Sequence, residues 1–204
     1  MTSLFSRLRP VAVAIGMAAC AMGAQAANLV GNGSFEQGAL GIGSFSDWQT
    51  TLPDALTFVD SSGQTGMQAG QASDGLWSAY FGSTSDTGGA TIAQSLATVA
   101  GQTYVLSFDV ANDNAGMGAS DALSVQANGA TLLSFANLGD QGYAHQSVSF
   151  TASGSTLLSF TAYNDNGYLQ LDNVSVTAVP EPDGLWIAAT GLAALALTAY
   201  RRKA

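Results

Sequence analysis

Any chemistry in the central part of this 204-residue chain has to come from acids. Residues 27–178 contain Glu36 and eleven aspartates but no lysine or arginine, a formal −12 (one Glu plus eleven Asp against no Lys or Arg). Carboxylates with no basic partner must face water or bind a cation. Nucleic acid is excluded as a partner on charge alone. His145, in Gly142-Tyr143-Ala144-His145-Gln146, is the only histidine, so a Ser-His-Asp arrangement would depend on it. No nucleophile elbow surrounds any serine, and the P-loop lysine, the dinucleotide glycine fingerprint and a zinc-binding His pair are all missing. His145 therefore reads as a surface or strand-edge residue. Two kinds of acid chemistry remain: cation binding, or hydrolysis of a glycoside by a carboxylate pair, one member of which needs a raised pKa. The only cysteine, Cys20, precedes this region, so no disulfide supports it and a bound metal is a natural substitute.

The elements that must position these acids are strands. In Tyr104-Val105-Leu106-Ser107-Phe108-Asp109-Val110 every second residue is apolar, and Leu123, Val125 and Ala127 alternate in the same way. Asn128-Gly129 follows as a two-residue hairpin turn, and Leu132 to Phe135 returns. Val148–Phe150, Leu158–Ala162, Leu56–Asp60, Trp77–Phe81 and Thr91–Leu96 add further strands, and sustained helical periodicity is absent. The expected fold is all-β, an antiparallel sandwich. In the last strand, Leu169 and Leu171 share one parity whereas Val174 and Val176 share the other, which requires a bulge near Asp172-Asn173. Bulges re-aim side chains beside sites, which makes Asp172 the first acid to inspect. Asn112-Asp113-Asn114 and Asn164-Asp165-Asn166 follow two Leu-Ser-Phe strands at identical spacing, and turn chemistry explains both.

All five basic residues lie at the ends. Arg7 and Arg9, an apolar run from Val11 to Met22, and Ala24-Gln25-Ala26 read as a secretory signal peptide, residues 1–26, removed by signal peptidase. Met17-Ala18-Ala19-Cys20 is a poor lipoprotein box, which leaves acylation of Cys20 as the lesser alternative. At the other end, Pro180-Glu181-Pro182 precedes an uncharged stretch at 184–200 and then Arg201, Arg202 and Lys203. Those seventeen residues would reach about 25 Å as a helix, and snorkelling by the basic tail makes up the rest of a bilayer core of about 30 Å. Residues 179–204 resemble a PEP-CTERM sorting signal, with the motif at 180–182, the transmembrane helix and the basic tail in order. The resemblance implies an exosortase that recognises the motif, transient anchoring in an inner membrane, and release to the cell surface or the exopolysaccharide matrix.

The central domain, 27–178, carries a second resemblance. Asn28-Leu29, then Asn32-Gly33-Ser34-Phe35-Glu36, then Ser46-Asp47-Trp48, is similar to the opening of jelly-roll carbohydrate-binding modules. Leu171-Asp172-Asn173-Val174-Ser175-Val176 is similar to their closing strand. The resemblance implies a galactose-binding-like jelly roll in which Glu36 and Asp172 help to hold a structural calcium ion. Trp48 and Trp77 fall in core strands, so they are expected to be buried, and Tyr143 and Tyr168 remain as aromatic platforms for sugar. The function expected is that of an exported, non-catalytic surface or matrix protein, structural or carbohydrate-associating. The alternative is an extracellular polysaccharide hydrolase working through Asp/Glu carboxylates.

Overall fold

Alternation of apolar and polar side chains becomes strand structure throughout, in two packed antiparallel sheets. The computed structural model describes residues 26–37, 41–42, 45–61, 72–114 and 120–180. The expected signal peptide apart from Ala26, Cys20, the 184–200 segment, Glu181, Pro182, Arg201, Arg202 and Lys203 all lie outside the described residues; Pro180 is described and exposed. Among the described residues no helix is long and apolar enough to cross a membrane.

The strands are β1 (Gly41–Ile42), β2 (Gln49–Thr51), β3 (Thr57–Ser61), β4 (Trp77–Phe81), β5 (Ala90–Leu96), β6 (Thr103–Asp113), β7 (Asp121–Ala127), β8 (Ala130–Ala136), β9 (Gln141–Thr151), β10 (Thr156–Asn164) and β11 (Tyr168–Ala178). One sheet has the order β1-β3-β4-β11-β6-β9, and the other β2-β5-β10-β7-β8. A single 3-10 turn at Ser85–Thr87 is the only helical element among the described residues.

The core lies between the inner faces. Leu106, Phe108 and Val110 of β6 and Leu169, Leu171, Val174 and Val176 of β11 meet Leu123, Val125, Leu158 and Phe160 of the other sheet, all at most 2% exposed. Each such side chain contributes about 1.5–3 kcal/mol by leaving water. Trp48 is buried, stacked on Phe35 at 5.7 Å and edge-on to Phe160 at 6.1 Å, whereas Trp77 is half-buried against the same core. The β7–β8 hairpin turns through Asn128 (φ 50°) and Gly129 (φ 79°), the paired positive φ angles that an Asn-Gly turn favours.

The expected bulge is present: the β11–β6 register shifts between Asp172 and Ser175, with Asn173 at φ 51°. It keeps both leucines and both valines inward. The opening motif lies directly against it. Val174 N–H donates to the Gly33 carbonyl at 2.9 Å, Leu29 N–H to the Val176 carbonyl at 2.9 Å, and Val176 N–H to Asn28 Oδ1 at 2.9 Å. A Cβ on residue 33 would sit 2.0 Å from the Val174 carbonyl oxygen, so this position admits only glycine. The first and last segments are therefore joined by backbone pairing.

The two Asn-Asp-Asn loops do more than turn the chain. Asn112 of one sheet and Asn164 of the other are buried and bonded to each other at 2.8 Å. Asn112 Nδ2 also donates at 3.0 Å to Asp121, which is wholly buried and accepts the Leu138 N–H at 2.9 Å. This polar clasp closes one end of the core. In the second loop Asp165 accepts from Ser85 and Ser120 hydroxyls at 2.8 and 2.6 Å, which ties two neighbouring loops together.

Candidate functional site

Because β-strand side chains alternate, the bulge that turns Leu171 and Val174 inward leaves Gln170 and Asp172 on the outer face of the six-stranded sheet. Register places two rows on that face. Phe58 pairs with Tyr80, Tyr80 with Gln170, and Gln170 with Ala111, and Tyr143 of β9 lies next in the row. One step along, Asp60 pairs with Ser78, and Asp172 with Asp109, which in turn pairs with His145. Beyond the first row, Tyr168 pairs with Asp113. The two sequence-predicted aromatics, Tyr143 and Tyr168, thus share one face, two strands apart.

The acidic row is sealed beneath the segment 73–77. Asp172 is wholly buried; its Oδ2 accepts the Asp74 N–H at 2.9 Å and its Oδ1 the Asn173 N–H at 2.7 Å. Burial pushes this carboxyl up to about 7, against the pull of the Asp74, Asn173 and Ser73 backbone donors, and the Asp74 charge adds to the rise. Asp109, across the strand, is held below the usual carboxylate range. Its burial acts to raise it, but the Ser73 hydroxyl, the Asn173 amide and His145 together prevail. His145 Nδ1 sits 2.7 Å from Asp109 Oδ1 on the edge strand, with the ring 61% exposed, which matches the strand-edge expectation. Ser73 and His145 bond to opposite oxygens of Asp109, so the carboxylate stands between them and the histidine does not reach the serine as a base.

Glu36 reaches the same segment from the other side. Its Oε1 accepts the Leu76 and Trp77 N–H groups at 2.6 and 2.8 Å. The two residues assigned to calcium therefore converge on one short stretch, 73–77. Among the described residues no group of three or more His, Cys, Asp or Glu side chains is placed to hold a metal.

The aromatic row differs. Phe58 and Tyr80 stack at 5.5 Å and 8°, and Tyr168 meets each edge-on, at 5.4 and 6.0 Å. Tyr80 is buried, whereas Phe58, Tyr168 and Tyr143 keep part of their rings open. The phenol oxygens of Tyr80 and Tyr143 and Oε1 of Gln170 are buried with no hydrogen-bond partner, three such atoms in a single row. Burial pushes both phenols up. The Ser78 hydroxyl lies near enough to oppose that rise but makes a well-formed bond with neither. A pocket of about 190 Å³ opens at the end of this row, with Tyr143, Gln170, Asp113 and Asp140 in its wall. The sequence reading missed Tyr80 and Gln170. Their signal was the period-two placement of Phe58, Tyr80 and Gln170 opposite core residues.

This sandwich is a jelly roll, a fold also seen in solved carbohydrate-binding modules. Solved structures similar to it include the carbohydrate-binding module TmCBM61 in complex with β-1,4-galactotriose, at a TM-score of 0.54 and 15% identity over 75% of this chain and 99% of that one. The K1 cleaved adhesin domain of Lys-gingipain from Porphyromonas gingivalis aligns at a TM-score of 0.53 and 17% identity, covering 72% of this chain and 96% of that one. The tandem CBM22-1–CBM22-2 domain of Xyn10C from Paenibacillus barcinonensis gives 0.50 and 17%, with 77% and 47% covered. At these identities the likeness establishes the fold and nothing finer. No protein-family model and no curated protein matches the chain.

Proposed function

We propose that this is an exported, non-catalytic module that associates with polysaccharide through the outer face of its six-stranded sheet. The observation that carries the reading is the row of three unpartnered polar atoms, on Tyr80, Gln170 and Tyr143, flanked by the half-open rings of Phe58 and Tyr168. Each buried polar atom without a partner costs about 1–3 kcal/mol, a cost a sugar hydroxyl can relieve. Stacked aromatic rings suit the apolar face of a pyranose. The solved modules of this fold include one holding a galactotriose, which agrees with this reading.

Hydrolysis by the one carboxylate pair of unlike environment is disfavoured by where that pair lies. Asp109 and Asp172 are a carboxylate pair of unlike environment, the pattern an acid/base couple shows. Yet Asp172 is wholly buried and Asp109 is 7% exposed, both beneath residues 73 and 74, so a glycosidic bond has no path between them. The test is retention of the full chain on the host's exopolysaccharide and on β-1,4-galactan, with sugar release assayed in parallel. Retention that is lost in Tyr168→Ala and Tyr143→Ala, with no sugar released, is expected. Released sugar would revive the hydrolase, and no retention on any polysaccharide would leave a purely structural matrix role.

Calcium belongs to the same reading. Glu36 and Asp172 would supply two carboxylates at segment 73–77, and backbone carbonyls the rest of the six to eight oxygens calcium takes. The ion would neutralise the buried Asp172 charge and clamp that segment over the face. Glu36→Ala should lower Tm in chelator only by what its bonds to the Leu76 and Trp77 N–H groups contribute, and by clearly more in calcium; equal losses in both would remove the ion. For export, the ends of the sequence support signal peptidase and exosortase as processing partners, with a passing inner-membrane stage before the surface or matrix. Substituting Pro180, Glu181 and Pro182 should trap the full chain in the membrane, and undiminished release would count against that route.

A further inference from the structure

We infer that β9 is a self-association edge, along which two copies of this chain pair antiparallel over residues 144–151 and merge their six-stranded sheets into one. The inference goes beyond the polysaccharide reading and stands without it. The sandwich has four outer strands: β1 and β9 bound one sheet, β2 and β8 the other. A free edge carries unpaired N–H and C=O groups that template another strand, unless shortness, a bulge, charge or proline blunts it. β1 and β2 are two and three residues long. β8 is bulged at Leu132, where its register with β7 shifts between Val125 and Gln126.

Over residues 144–151, β9 has none of these devices. Its pairing with β6 runs unbroken from Val110↔Ala144 to Thr103↔Thr151. The segment Ala144-His145-Gln146-Ser147-Val148-Ser149-Phe150-Thr151 contains no acid, lysine, arginine, proline or glycine. Among the described residues no strand pairs with its outer side. Val148 packs on the core yet stays only half-buried, so apolar surface remains to be covered at this edge.

Symmetry and charge name a second copy as the occupant. Two identical antiparallel strands are related by a two-fold axis, and residues opposite each other must share a face. With the axis at Val148, Ser147 meets Ser149 and His145 meets Thr151 on the outer face. On the inner face Gln146 meets Phe150, and Val148 meets its own copy. Hydroxyl and apolar pairs are favourable cross-strand neighbours, and no like charges stand opposite each other. His145 is held by Asp109 of its own chain at 2.7 Å, so a charge on that ring is already paired. Elsewhere the −12 of residues 27–178 keeps copies apart, which confines their approach to an uncharged strand such as this one. The pairing consumes β9 of both copies and therefore stops at a dimer. Its two-fold stands perpendicular to the sheet, so both outer faces point the same way. The contact is one strand wide and weak by itself, and a polymer spanning both faces would reinforce it.

The experiment is sedimentation velocity on the full chain over a concentration series at low and high salt, with mild detergent around its uncharged 184–200 stretch. A monomer–dimer equilibrium is expected, and it should tighten with salt as repulsion between the two acidic domains is screened. Ser147→Glu with Ser149→Glu, both at exposed positions, sets like charges opposite each other twice and should weaken the dimer at least about tenfold. An equimolar mixture of that variant with Ser147→Lys, Ser149→Lys should dimerise more tightly than either alone, each variant first matching the wild type by circular dichroism. A chain that stays monomeric at every concentration and salt overturns the inference. A dimer indifferent to the Glu pair, or a mixture no tighter than its components, also overturns it, because association would then run through another surface.

Discussion

Asp172 should make the calcium-free protein less stable as pH rises from about 4 to about 7, the reverse of ordinary acid denaturation. The folded state holds this proton more tightly than the unfolded chain, since burial lifts the carboxyl from 3.8 to about 7. Its contribution is therefore intact below the unfolded value and lost as pH passes through the folded one. Each tenfold gain in proton affinity on folding corresponds to about 1.36 kcal/mol, so the loss is about 2–4 kcal/mol once water penetration at this face is allowed for. In a domain of this size that corresponds to a fall in Tm of roughly 5–15 °C. Asp172→Asn keeps the shape and stays neutral. In chelator, thermal unfolding followed by circular dichroism from pH 4 to 8 should show the downward slope in the wild type and not in the variant; subtracting the two removes every other acid. In calcium the slope should reverse, because the ion needs the ionised carboxylate. Parallel wild-type and variant curves in chelator would refute the reasoning, since they would mean that Asp172 ionises there at no cost.

Gly33→Ala drives a methyl into the Val174 carbonyl and should cost about 3 kcal/mol or more, read as a lower denaturant midpoint at unchanged m-value. Asp121→Ala removes an acceptor for Asn112 and for the Leu138 N–H inside a closed clasp, and should cost about 1–3 kcal/mol in the same measurement. His145→Ala deletes an exposed ring whose bond to Asp109 is one of three, so stability should change by less than about 1 kcal/mol and polysaccharide retention not at all. A large loss of retention in that variant would place the ligand on the acidic row instead of the aromatic one.

The sequence made the architecture legible wherever period-two alternation was long, as in β6, β7 and β10, and wherever turn chemistry was specific, as at Asn128-Gly129. The bulge at Asp172 was readable from parity alone, because four apolar residues had to face one core. Harder to see was the early part of β9, where Gly142 and Ala144 dilute the alternation around Tyr143 and His145. The echo of Asn-Asp-Asn was visible, but its role was not: that Asn112 and Asn164 face each other depends on two sheets closing, which no local pattern encodes. Asp172 was marked as an acid of interest and turned out to have Asp109 as its cross-strand neighbour. A pairing between residues so distant along the chain is set by strand order, and strand order is written in no short window of sequence.

The pairing of Leu29 and Gly33 with the end of β11 has a consequence for how the module would stand on a surface. Both chain exits, near residues 28 and 178, leave from one pole. Tyr168 opens β11 and Ala178 closes it, so the strand end that carries Tyr168 sits roughly 30 Å from that pole. If the chain is tethered by its C-terminal tail, the length of the sheet around β11 holds the Tyr168 end clear of whatever holds the base. The segment near Asn28 would stay at the foot, out of the way of any polymer that arrives from outside.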